Sequence, residues 1–402
     1  MPPGLKTVHA SQKTVIRFNR MTVFFLTSWF PSRVHPTNGN FVARHARLVA
    51  RTHRVIVVAV EVDEQLPFGK TDLTHRAEDG YDVVHAYVGY TDKTPGAVKV
   101  ALRLRGYACA MRRASREFGR PDLLHGHVLL DGGMVAALYA KWYARPFVLT
   151  EHSSEYHGRG ALPGVRGALG RYACRKAKTI MPVTHHLGRG MRELNGLTGN
   201  YLTLSNVVDE KLYRLLPPPD TASFRLLHVS NFEEKAKNIK GLLRAFSALP
   251  EATHRSVTLH LAGDGDLEAL QRMIDETGHP GITFSGPHTE TEIAELMQEC
   301  HAFVLFSNYE NQPVVLLEAQ MSGRPCIATA VGGIPDIVLP GKTGLLVSPG
   351  DEAALTDAML VMRRDYDTYN LRKVRERAER TYSEKAVEAV LIRVYADAIR
   401  SQ

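Results

Sequence analysis

The chain has 402 residues, more than one hydrophobic core ordinarily organises, so two domains of roughly 180–200 residues are expected. Hydrophobic residues make up 44% and charged residues 23%, proportions of a globular protein that exclude a largely disordered chain. The net charge of +8 favours anionic partners such as nucleotides, anionic lipid surfaces or nucleic acid, without choosing among them.

The first 20 residues are polar and basic and lack the apolar core of a signal peptide. Because Met21 directly precedes the first strand-like run, residues 1–20 are expected to be a flexible tail or the product of an over-long start assignment. No apolar run reaches the roughly 18–20 residues of a spanning helix. The four cysteines form no Cys-x-x-Cys pair, which indicates buried thiols in a reducing compartment. We therefore expect a cytoplasmic protein, at most peripheral on the inner face of the cell membrane.

Short β-branched runs alternate with helical patterns, which is typical of parallel sheets built from βαβ units. In the first half, strands are predicted at Val23–Leu26, Val55–Val60, Asp82–Tyr87, Asp122–His125, Phe147–Thr150, Thr179–Pro182 and Tyr201–Leu204. In the second half, they are predicted at Arg225–Val229, Val257–Ala262, Ile282–Ser285, Ala302–Phe306, Pro325–Ala328 and Gly344–Val347. The fold class is therefore α/β, with two Rossmann-like domains. Ligands of such sheets bind beyond the carboxyl ends of the strands, so the site is expected in a cleft between the domains.

Polar residues follow several strands of the first half. Gly39, in the loop after the first strand, would let the backbone approach a phosphate without a side chain in the way. His152 lies in the polar run 150–155 at the end of a later strand, while His125 and His127 end the preceding strand and are weaker candidates. No carboxylate or thiol cluster shows metal-ligand spacing, so no metal site is predicted.

Residues 98–120 form a predicted helix with an apolar and a basic face. The apolar face is expected to pack on the core, although Gly106 weakens the helix, and it carries Val100, Leu104, Tyr107, Met111 and Phe118. The basic face carries Arg105, Arg112, Arg116 and Arg120. This basic face is either a solvated surface or a contact with an anionic membrane surface that carries a lipid-linked acceptor.

Three consecutive prolines, Pro217 to Pro219, can continue neither a helix nor a central strand and mark a linker. The expected division is an N-terminal domain over 21–205, a linker over 206–223, a C-terminal domain over 224–383 and a last helix within 384–402. This last helix carries apolar residues at every fourth position: Ala386, Val390, Val394 and Ala398.

The most specific constellation follows the buried-looking strand 302–306. Pro313 suits the first position of a helix, so the loop before it delivers backbone N–H groups and the positive end of a helix dipole to one spot, a ready site for a diphosphate. Glu310 lies in that loop, and Glu318 lies in the helix eight positions later. A carboxylate accepts two hydroxyl hydrogen bonds, which suits a sugar or a ribose.

The stretch SNYENQPVVLLEAQMSGRPCIATAVGGIPDIVLPGKTGLLVSPGD resembles the retaining glycosyltransferases of family 4, which have the two-domain GT-B fold. The paired glutamates Glu310 and Glu318 match that family's motif, followed in order by its Glu-Ala, Gly-Arg-Pro, Gly-Gly-Ile-Pro and Gly-Leu-Leu-Val elements. The resemblance implies transfer of a sugar, of the hexosyl type, from a nucleoside-diphosphate sugar to a glycan or lipid-linked acceptor in surface polysaccharide or glycolipid synthesis. It also implies that no metal or other cofactor is needed and that the last helix crosses back to the N-terminal domain.

The resemblance also assigns site residues. It implies catalytic roles for Glu310 on donor-sugar hydroxyls, for His152 on the sugar from the facing domain, and for Lys237 on the diphosphate. The implied donor-binding residues are Gly39, Asn231, Lys235, Lys237, Gly263, Gly286, Asn311, Gln312, Pro313, Val314 and Glu318, the last holding the ribose. The chain departs from the family at Asn231, where an arginine is expected, and Lys235 is then the residue that would replace its charge.

Two alternatives to this function remain at this stage. One is another enzyme of the same fold, a nucleotide-sugar epimerase; a phosphorylase would need a pyridoxal-binding lysine and a much longer chain. The other is a basic, non-catalytic nucleic-acid-binding protein. The second is disfavoured because no nucleic-acid motif appears and the basic residues are not interleaved with aromatic ones.

Overall fold

The computed structural model describes residues 20–157, 162–218, 222–254 and 256–400. Apart from residue 20, the predicted N-terminal tail lies outside the described residues, as do residues 219–221 of the linker. The described chain forms two α/β units, each built around its own sheet. Both sheets and the predicted fold class are thereby confirmed.

The N-terminal sheet has seven strands in the order β3-β4-β2-β1-β5-β6-β7. The strands are β1 (Thr22–Thr27), β2 (Arg54–Val62), β3 (Thr71–Ala77), β4 (Asp82–Val88), β5 (Leu123–His127), β6 (Phe147–Glu151) and β7 (Ile180–Pro182). All neighbours pair in parallel except β3, which runs antiparallel to β4 at the edge. The sequence prediction missed β3 because its residues are half-exposed or exposed and carry no run of apolar side chains.

The predicted strand Tyr201–Leu204 is wrong. Tyr201 makes one isolated bridge to Ile180, and the chain then continues without strand structure. Leu202 and Leu204 still donate backbone hydrogen bonds to the carbonyl groups of Ile180 and Pro182. The run that predicted this strand is therefore an extended segment that lies along β7 on its way to the second domain.

The C-terminal sheet has six parallel strands in the order β10-β9-β8-β11-β12-β13. They are β8 (Phe224–Val229), β9 (Val257–Ala262), β10 (Ile282–Ser285), β11 (Ala302–Leu305), β12 (Cys326–Thr329) and β13 (Gly344–Val347). All six were predicted to within one residue at each end, because each is a short apolar run bounded by turn residues.

The helices lie on both faces of the two sheets. Those of the N-terminal half are α1 (Asn40–Ala50), α2 (Gly96–Phe118), α3 (Met134–Tyr143), α4 (Gly164–Lys176) and α5 (His185–Arg189). Those of the C-terminal half are α6 (Glu234–Lys237), α7 (Ile239–Ser247), α8 (Leu267–Thr277), α9 (Glu290–Glu299), α10 (Val314–Met321), α11 (Ile334–Ile337), α12 (Glu352–Arg364), α13 (Leu371–Tyr382) and α14 (Glu384–Arg400). None of these helices in the described part of the chain combines the length and apolar character needed to span a bilayer.

Side chains alternate across the N-terminal sheet, as the pleat of a strand requires. Phe24 and Leu26 of β1 join the core under α2, α3 and α4, whereas Val23 and Phe25 join the core under α1 and α14. Helix α14 thus packs on the N-terminal domain although it follows the C-terminal one in sequence. Val387, Leu391 and Tyr395 of this helix are buried, together with Val394 and Ala398, whereas Ala386 and Val390 are half-buried.

Helix α2 forms where the sequence predicted it, but its apolar face was assigned incorrectly. The buried side is Gly106, Tyr107, Ala110, Met111 and Ala114. Val100 and Leu104, predicted to pack on the core, are exposed. Gly106 does not weaken the helix in its context, because a Cβ there would lie 2.8 Å from the Val88 side chain; its absence lets α2 lie close on the sheet.

Candidate active site

The carboxyl ends of both sheets face each other, as they do in open parallel sheets that bind ligands in a cleft. Asn311, in the loop after β11, donates from Nδ2 to the backbone oxygen of His152 after β6, at 2.6 Å. The backbone N–H of His185, also in the N-terminal domain, donates to Asp336 at 3.0 Å. The predicted loops of the two halves are therefore brought into direct contact.

Lys237 and Glu310 form an ion pair on the C-terminal side of the cleft. The Lys237 Nζ donates to Oε1 of Glu310 at 2.5 Å, and Ser307 Oγ donates to the same oxygen at 2.9 Å. Their side chains are only 20% and 10% exposed. The sequence predicted both residues, separated by 73 positions, and the structure places them together.

Helix α10 begins beside this ion pair. Pro313 is its N-cap residue and Val314 its first residue, one position later than the sequence predicted, and no side chain caps the helix. The first N–H groups of an α-helix have no partner within it, and the helix dipole adds partial positive charge there. Positive charge from α10 and from Lys237 therefore converges on the space next to Glu310.

Asn311 and Gln312 use their side chains to join the domains. Besides the bond from Asn311 to His152, the Gln312 Nε2 donates to the Val183 carbonyl at 2.8 Å. The Gln312 Oε1 accepts from the backbone N–H of Asn206 at 2.7 Å. These side chains hold the loop after β11 against the facing domain.

Glu318 lies where α10 meets the first helix of the other domain. Its Oε1 accepts from Nη2 of Arg44 on α1 at 2.9 Å, and the same nitrogen donates to Glu290 at 2.7 Å. Burial lowers the pKa of Arg44, but Glu318 and Glu290 outweigh it and raise the pKa above its ordinary value. A cavity of about 290 Å³ adjoins the pair and is lined in part by Tyr213 and His288. Arg44 could not be identified from the sequence, since no local motif marks a residue whose partner is 274 positions away.

His152 belongs to a buried group of histidines on the N-terminal side. Its ring lies 4.4 Å from the Phe41 ring, centroid to centroid, and its Nε2 lies 3.3 Å from Nδ1 of His127. Burial and the neighbouring histidines hold the pKa of His152 well below its ordinary value, so the ring is neutral. His125 differs from the others because both its ring nitrogens are bonded, to Tyr395 and Thr150, each at 2.7 Å.

His45 of α1 belongs to the same group, since its ring lies 5.9 Å from that of His152. Three of the histidines each have one ring nitrogen without a hydrogen-bond partner: Nδ1 of His45, Nε2 of His127 and Nδ1 of His152. One ligand atom from each lies within 4.8 Å of the others, near enough for the three to hold a metal ion. Sequence spacing revealed no such group, because the residues come from α1, β5 and the loop after β6. The half-buried Asp209, Glu210 and Glu384 are the second such group in the described part of the chain.

The remaining predicted residues divide into closely packed and open positions. Gly39 has φ +71°, and a Cβ there would overlap the Trp29 carbonyl oxygen, so the turn before α1 requires glycine. A Cβ at Gly263 would overlap the Ser230 carbonyl oxygen. At Gly286 a Cβ would meet only a Leu267 methyl group, at 3.2 Å.

Asn231 and Lys235 are both exposed. The Asn231 side chain accepts from the backbone N–H of Glu233 at 3.3 Å, within its own loop. The Lys235 carbonyl accepts from Asn308 at 3.0 Å, while its ammonium group is not placed on Glu310 as that of Lys237 is.

Glu151 is a further buried group that sequence reasoning did not single out, although it lies in the polar run 150–155. Its carboxylate accepts from the backbone N–H groups of Leu129, His152 and Ser153 at 2.7–2.8 Å. Burial raises its pKa to about 7, against the opposing effect of these hydrogen bonds. Glu151 therefore orients the loop that carries His152.

Residues 40–212 match the family described as Glycosyltransferase Family 4, and residues 223–365 match Glycosyl transferases group 1. Two similar relatives are each 28% identical to this chain. One is N-acetyl-alpha-D-glucosaminyl L-malate synthase of Bacillus anthracis, over 69% of this chain and 75% of the relative. The other is glycogen synthase of Mycobacterium tuberculosis, over 88% and 89%.

Two solved structures are similar in fold. Sucrose-phosphate synthase from Thermosynechococcus elongatus superposes with a TM-score of 0.77 and 19% identity, over 96% of this chain and 100% of that one. Anabaena Alr3699/HepE, in complex with UDP-glucose, superposes with a TM-score of 0.66 and 17% identity, over 94% and 100%. The alternative of a non-catalytic nucleic-acid-binding protein is thereby set aside. The chain belongs to glycosyltransferase family 4 and is a glycosyltransferase of the GT-B fold.

Proposed function

We propose that the enzyme transfers a hexose, with retention of configuration, from a nucleoside-diphosphate sugar to a glycan or lipid-linked acceptor in surface polysaccharide or glycolipid synthesis. The observation that carries this proposal is the Lys237–Glu310 ion pair at the start of α10, opposite His152. A donor of this class brings a diphosphate and a hydroxyl-rich sugar, which need positive charge and hydrogen-bond acceptors respectively.

Lys237 and the N-terminus of α10 stabilise the charge that develops on the departing nucleotide. As the bond from the sugar to the diphosphate breaks and the bond to the acceptor oxygen forms, negative charge collects on the departing phosphate oxygens, which take the proton that the acceptor hydroxyl group loses. Fixed positive groups that are already in place are the most effective way to stabilise such charge. Once the diphosphate engages Lys237, Glu310 is free to accept hydrogen bonds from the donor sugar.

Glu318 is the acceptor for the ribose hydroxyl groups, and His152 contacts the sugar from the facing domain. The cavity beside Glu318 lies at the junction of the domains, where a nucleoside would reach both. The neutral ring of His152 can donate or accept one hydrogen bond without placing a second positive charge next to the sugar. The HepE complex with UDP-glucose supports a donor of this class.

The transfer needs no metal ion or other cofactor in this proposal, since Lys237 and α10 supply the positive charge. The buried group of His45, His127 and His152 is the observation that makes a test necessary. Transfer should persist in excess EDTA. Loss of transfer with the chelator, restored by magnesium, manganese or zinc, would contradict a metal-independent reaction.

The enzyme works at the inner face of the cell membrane as a peripheral protein. Support comes from the exposed Arg112 and Arg116 on α2 and from the exposed Arg120, which lies just after the end of α2. Arg105, the fourth predicted arginine, instead donates to the Gly69 carbonyl at 2.8 Å. Basic residues near an anionic bilayer contribute about 1 kcal/mol each, and salt screens that contribution.

The central test combines donor binding with transfer. Thermal shift across nucleotide sugars identifies the donor, and transfer is then measured for Glu310→Gln and Glu318→Ala. Each loses one hydrogen-bonding group, so turnover should fall roughly tenfold to a hundredfold. Because Glu318→Ala also removes one partner of the buried Arg44, circular dichroism establishes that each variant is folded. Glu295→Gln, on the exposed side of α9, is the matched control. Near-wild-type turnover in both site variants would refute the donor site.

A further inference from the structure

Six large apolar side chains are exposed together on the outer side of α2, α3 and α4. This apolar face consists of Val100, Leu104, Leu138, Trp142, Val165 and Leu169, which are between 40% and 81% exposed. They are six of the eleven large apolar side chains that are exposed in the described part of the chain. Such clustering on one face indicates an interaction surface, since single exposed apolar residues are normal but contiguous ones are not.

The apolar face is the outer end of a groove that reaches the reaction cleft. A cavity of about 900 Å³ is lined by Val100, Leu104, Leu138, Val165 and Leu169 at one end and by Trp29, Asn38 and Ser153 at the other. The inner end is close to His152, because the Trp29 ring contacts Phe41 at 6.1 Å and Phe41 contacts His152 at 4.4 Å. A soluble glycan acceptor in the cleft would have no use for an apolar extension of this kind.

The charges within this groove are paired. Arg103 forms an ion pair with Asp131, and His35 lies 2.5 Å from Glu61. Arg166 lies 3.8 Å from Glu155. Since the two arginines that line it each face a carboxylate, the groove suits an uncharged chain and not a second phosphate.

Unpaired positive charge lies farther out, beside Trp142. A second cavity, of about 630 Å³, shares Leu104 and Leu138 with the first and is lined also by Trp142 and by the basic cluster Arg112, Arg116 and Arg120. Within the described residues no ion pair involves these three arginines. A tryptophan next to free basic residues is typical of proteins that lie in the interface of an anionic bilayer. Charge complementarity therefore favours a lipid surface over a protein partner here.

We propose that the acceptor is a membrane lipid whose hydrocarbon chain lies in the groove between α2, α3 and α4, while the bilayer surface contacts Trp142 and the basic cluster. This inference rests on the proposed function and names its acceptor class. The groove leads a chain from the bilayer toward His152, so the hydroxyl group at the other end of the lipid reaches the cleft. The apolar face inserts at the interface, and the basic cluster binds anionic headgroups.

The two tryptophans of the chain provide separate probes, because Trp142 borders the outer cavity and Trp29 the inner end of the groove. In a Trp29→Phe protein, Trp142 fluorescence should shift to the blue and be quenched by brominated lipid in vesicles of phosphatidylcholine with phosphatidylglycerol, and much less without phosphatidylglycerol. In a Trp142→Phe protein, Trp29 fluorescence should respond to monomeric dodecyl glucoside. Methyl glucoside, which has the same headgroup without the chain, should give no response.

Leu104→Gln combined with Leu138→Gln should weaken both responses at least about tenfold, because each removes a large apolar side chain from the contact. Leu202→Gln, at an exposed leucine away from the groove, is the matched control and should leave both unchanged. The inference is overturned if Trp142 does not respond to anionic vesicles. It is also overturned if Trp29 responds equally to methyl glucoside, or if the double variant binds like wild type.

Thermal shift with nucleotide sugars on the same proteins separates this inference from the proposed function. Donor binding should be unchanged in the double variant, because the donor side lies in the other domain. Donor binding without any amphiphile response would overturn the lipid groove alone. An amphiphile response without binding of any nucleotide sugar would refute the donor proposal and leave the groove standing.

Discussion

The two sheet edges that meet in the cleft differ in charge and in how the chain builds them. The C-terminal edge presents the charged pair Lys237 and Glu310 next to a helix N-terminus. The N-terminal edge presents neutral buried histidines and a carboxylate, Glu151, whose oxygens accept three backbone N–H groups. The C-terminal edge therefore suits a charged group, and the N-terminal edge, whose histidines are neutral, suits a polar but uncharged one, as a donor diphosphate and a sugar would require.

The largest loss of turnover is expected on replacing Lys237. This replacement tests whether Lys237 alone supplies the side-chain positive charge at the C-terminal edge. Lys237→Met should lower turnover about a hundredfold to a thousandfold, as removal of a preorganised charge-stabilising donor does. Lys235→Met should change turnover less than about threefold, because its side chain is exposed and is not placed on Glu310. Steady-state transfer assays on both variants provide the measurement.

Two outcomes would contradict the assignment of the diphosphate to Lys237 alone among the lysines. Equal losses in both variants would mean that Lys235 also reaches the diphosphate, as the asparagine at position 231 predicts. Full activity of Lys237→Met would mean that its ion pair with Glu310 is structural and that α10 alone serves the phosphate.

The parts of each edge that could be predicted from the sequence are those built from residues close together along the chain. Glu310, Pro313 and Glu318 lie in one strand–loop–helix unit, so their order along the chain was enough to place them. Arg44 meets Glu318 only after the domains assemble, and no local pattern announces a contact over 274 positions.

The same limit explains the mistake on α2. Helical periodicity predicted an apolar side for Val100 and Leu104 but could not show that a second side, around Gly106 and Ala110, meets the sheet. The pattern was therefore correct about amphipathic character and wrong about which apolar residues are buried. Only the packing of α3 and α4 beside α2 reveals that the exposed residues form a groove.

A second prediction compares glycines at the two edges. Gly39→Ala should destabilise the N-terminal domain by about 2–4 kcal/mol, because it combines a strained backbone with overlap against the Trp29 carbonyl group. Gly286→Ala should change stability by less than about 0.5 kcal/mol, since its new methyl group meets only a flexible leucine. Urea unfolding, followed by tryptophan fluorescence for Gly39→Ala and by circular dichroism for both, measures the difference.

This comparison fails if the order of the two glycine variants is reversed. If Gly39→Ala were as stable as wild type, the turn before α1 would be able to move, and the N-terminal side of the cleft would then not be preformed. A large loss of stability in Gly286→Ala would mean that the loop after β10 packs more tightly than its surroundings in the structure show.

The smallest expected effect is on the free energy of unfolding. It arises from the neutral histidines and appears only in acid. Burial lowers the pKa of His45 from 6.5 to about 4. Below pH 6.5 the unfolded chain therefore binds a proton at His45 that the folded chain does not bind until the pH approaches 4. The stabilisation present above pH 6.5 is therefore lost as the pH falls toward 4. Between pH 7 and pH 5, His45 alone should lower the free energy of unfolding by about 2 kcal/mol.

The test is the change in unfolding free energy between pH 7 and pH 5, followed by the fluorescence of Trp29 and Trp142, which both lie in the N-terminal domain. His45→Gln should flatten this change relative to wild type, whereas Val42→Ala, a non-titrating buried neighbour on α1, should lower stability equally at both values. Glu151 acts in the opposite direction, since its pKa is raised to about 7 and its contribution is lost as the pH rises. Because Glu151 is present in all three proteins, its contribution cancels in the comparison. An unchanged slope in His45→Gln would mean that the folded protein accepts the proton at His45, and the N-terminal edge would then carry positive charge in acid as the C-terminal edge does.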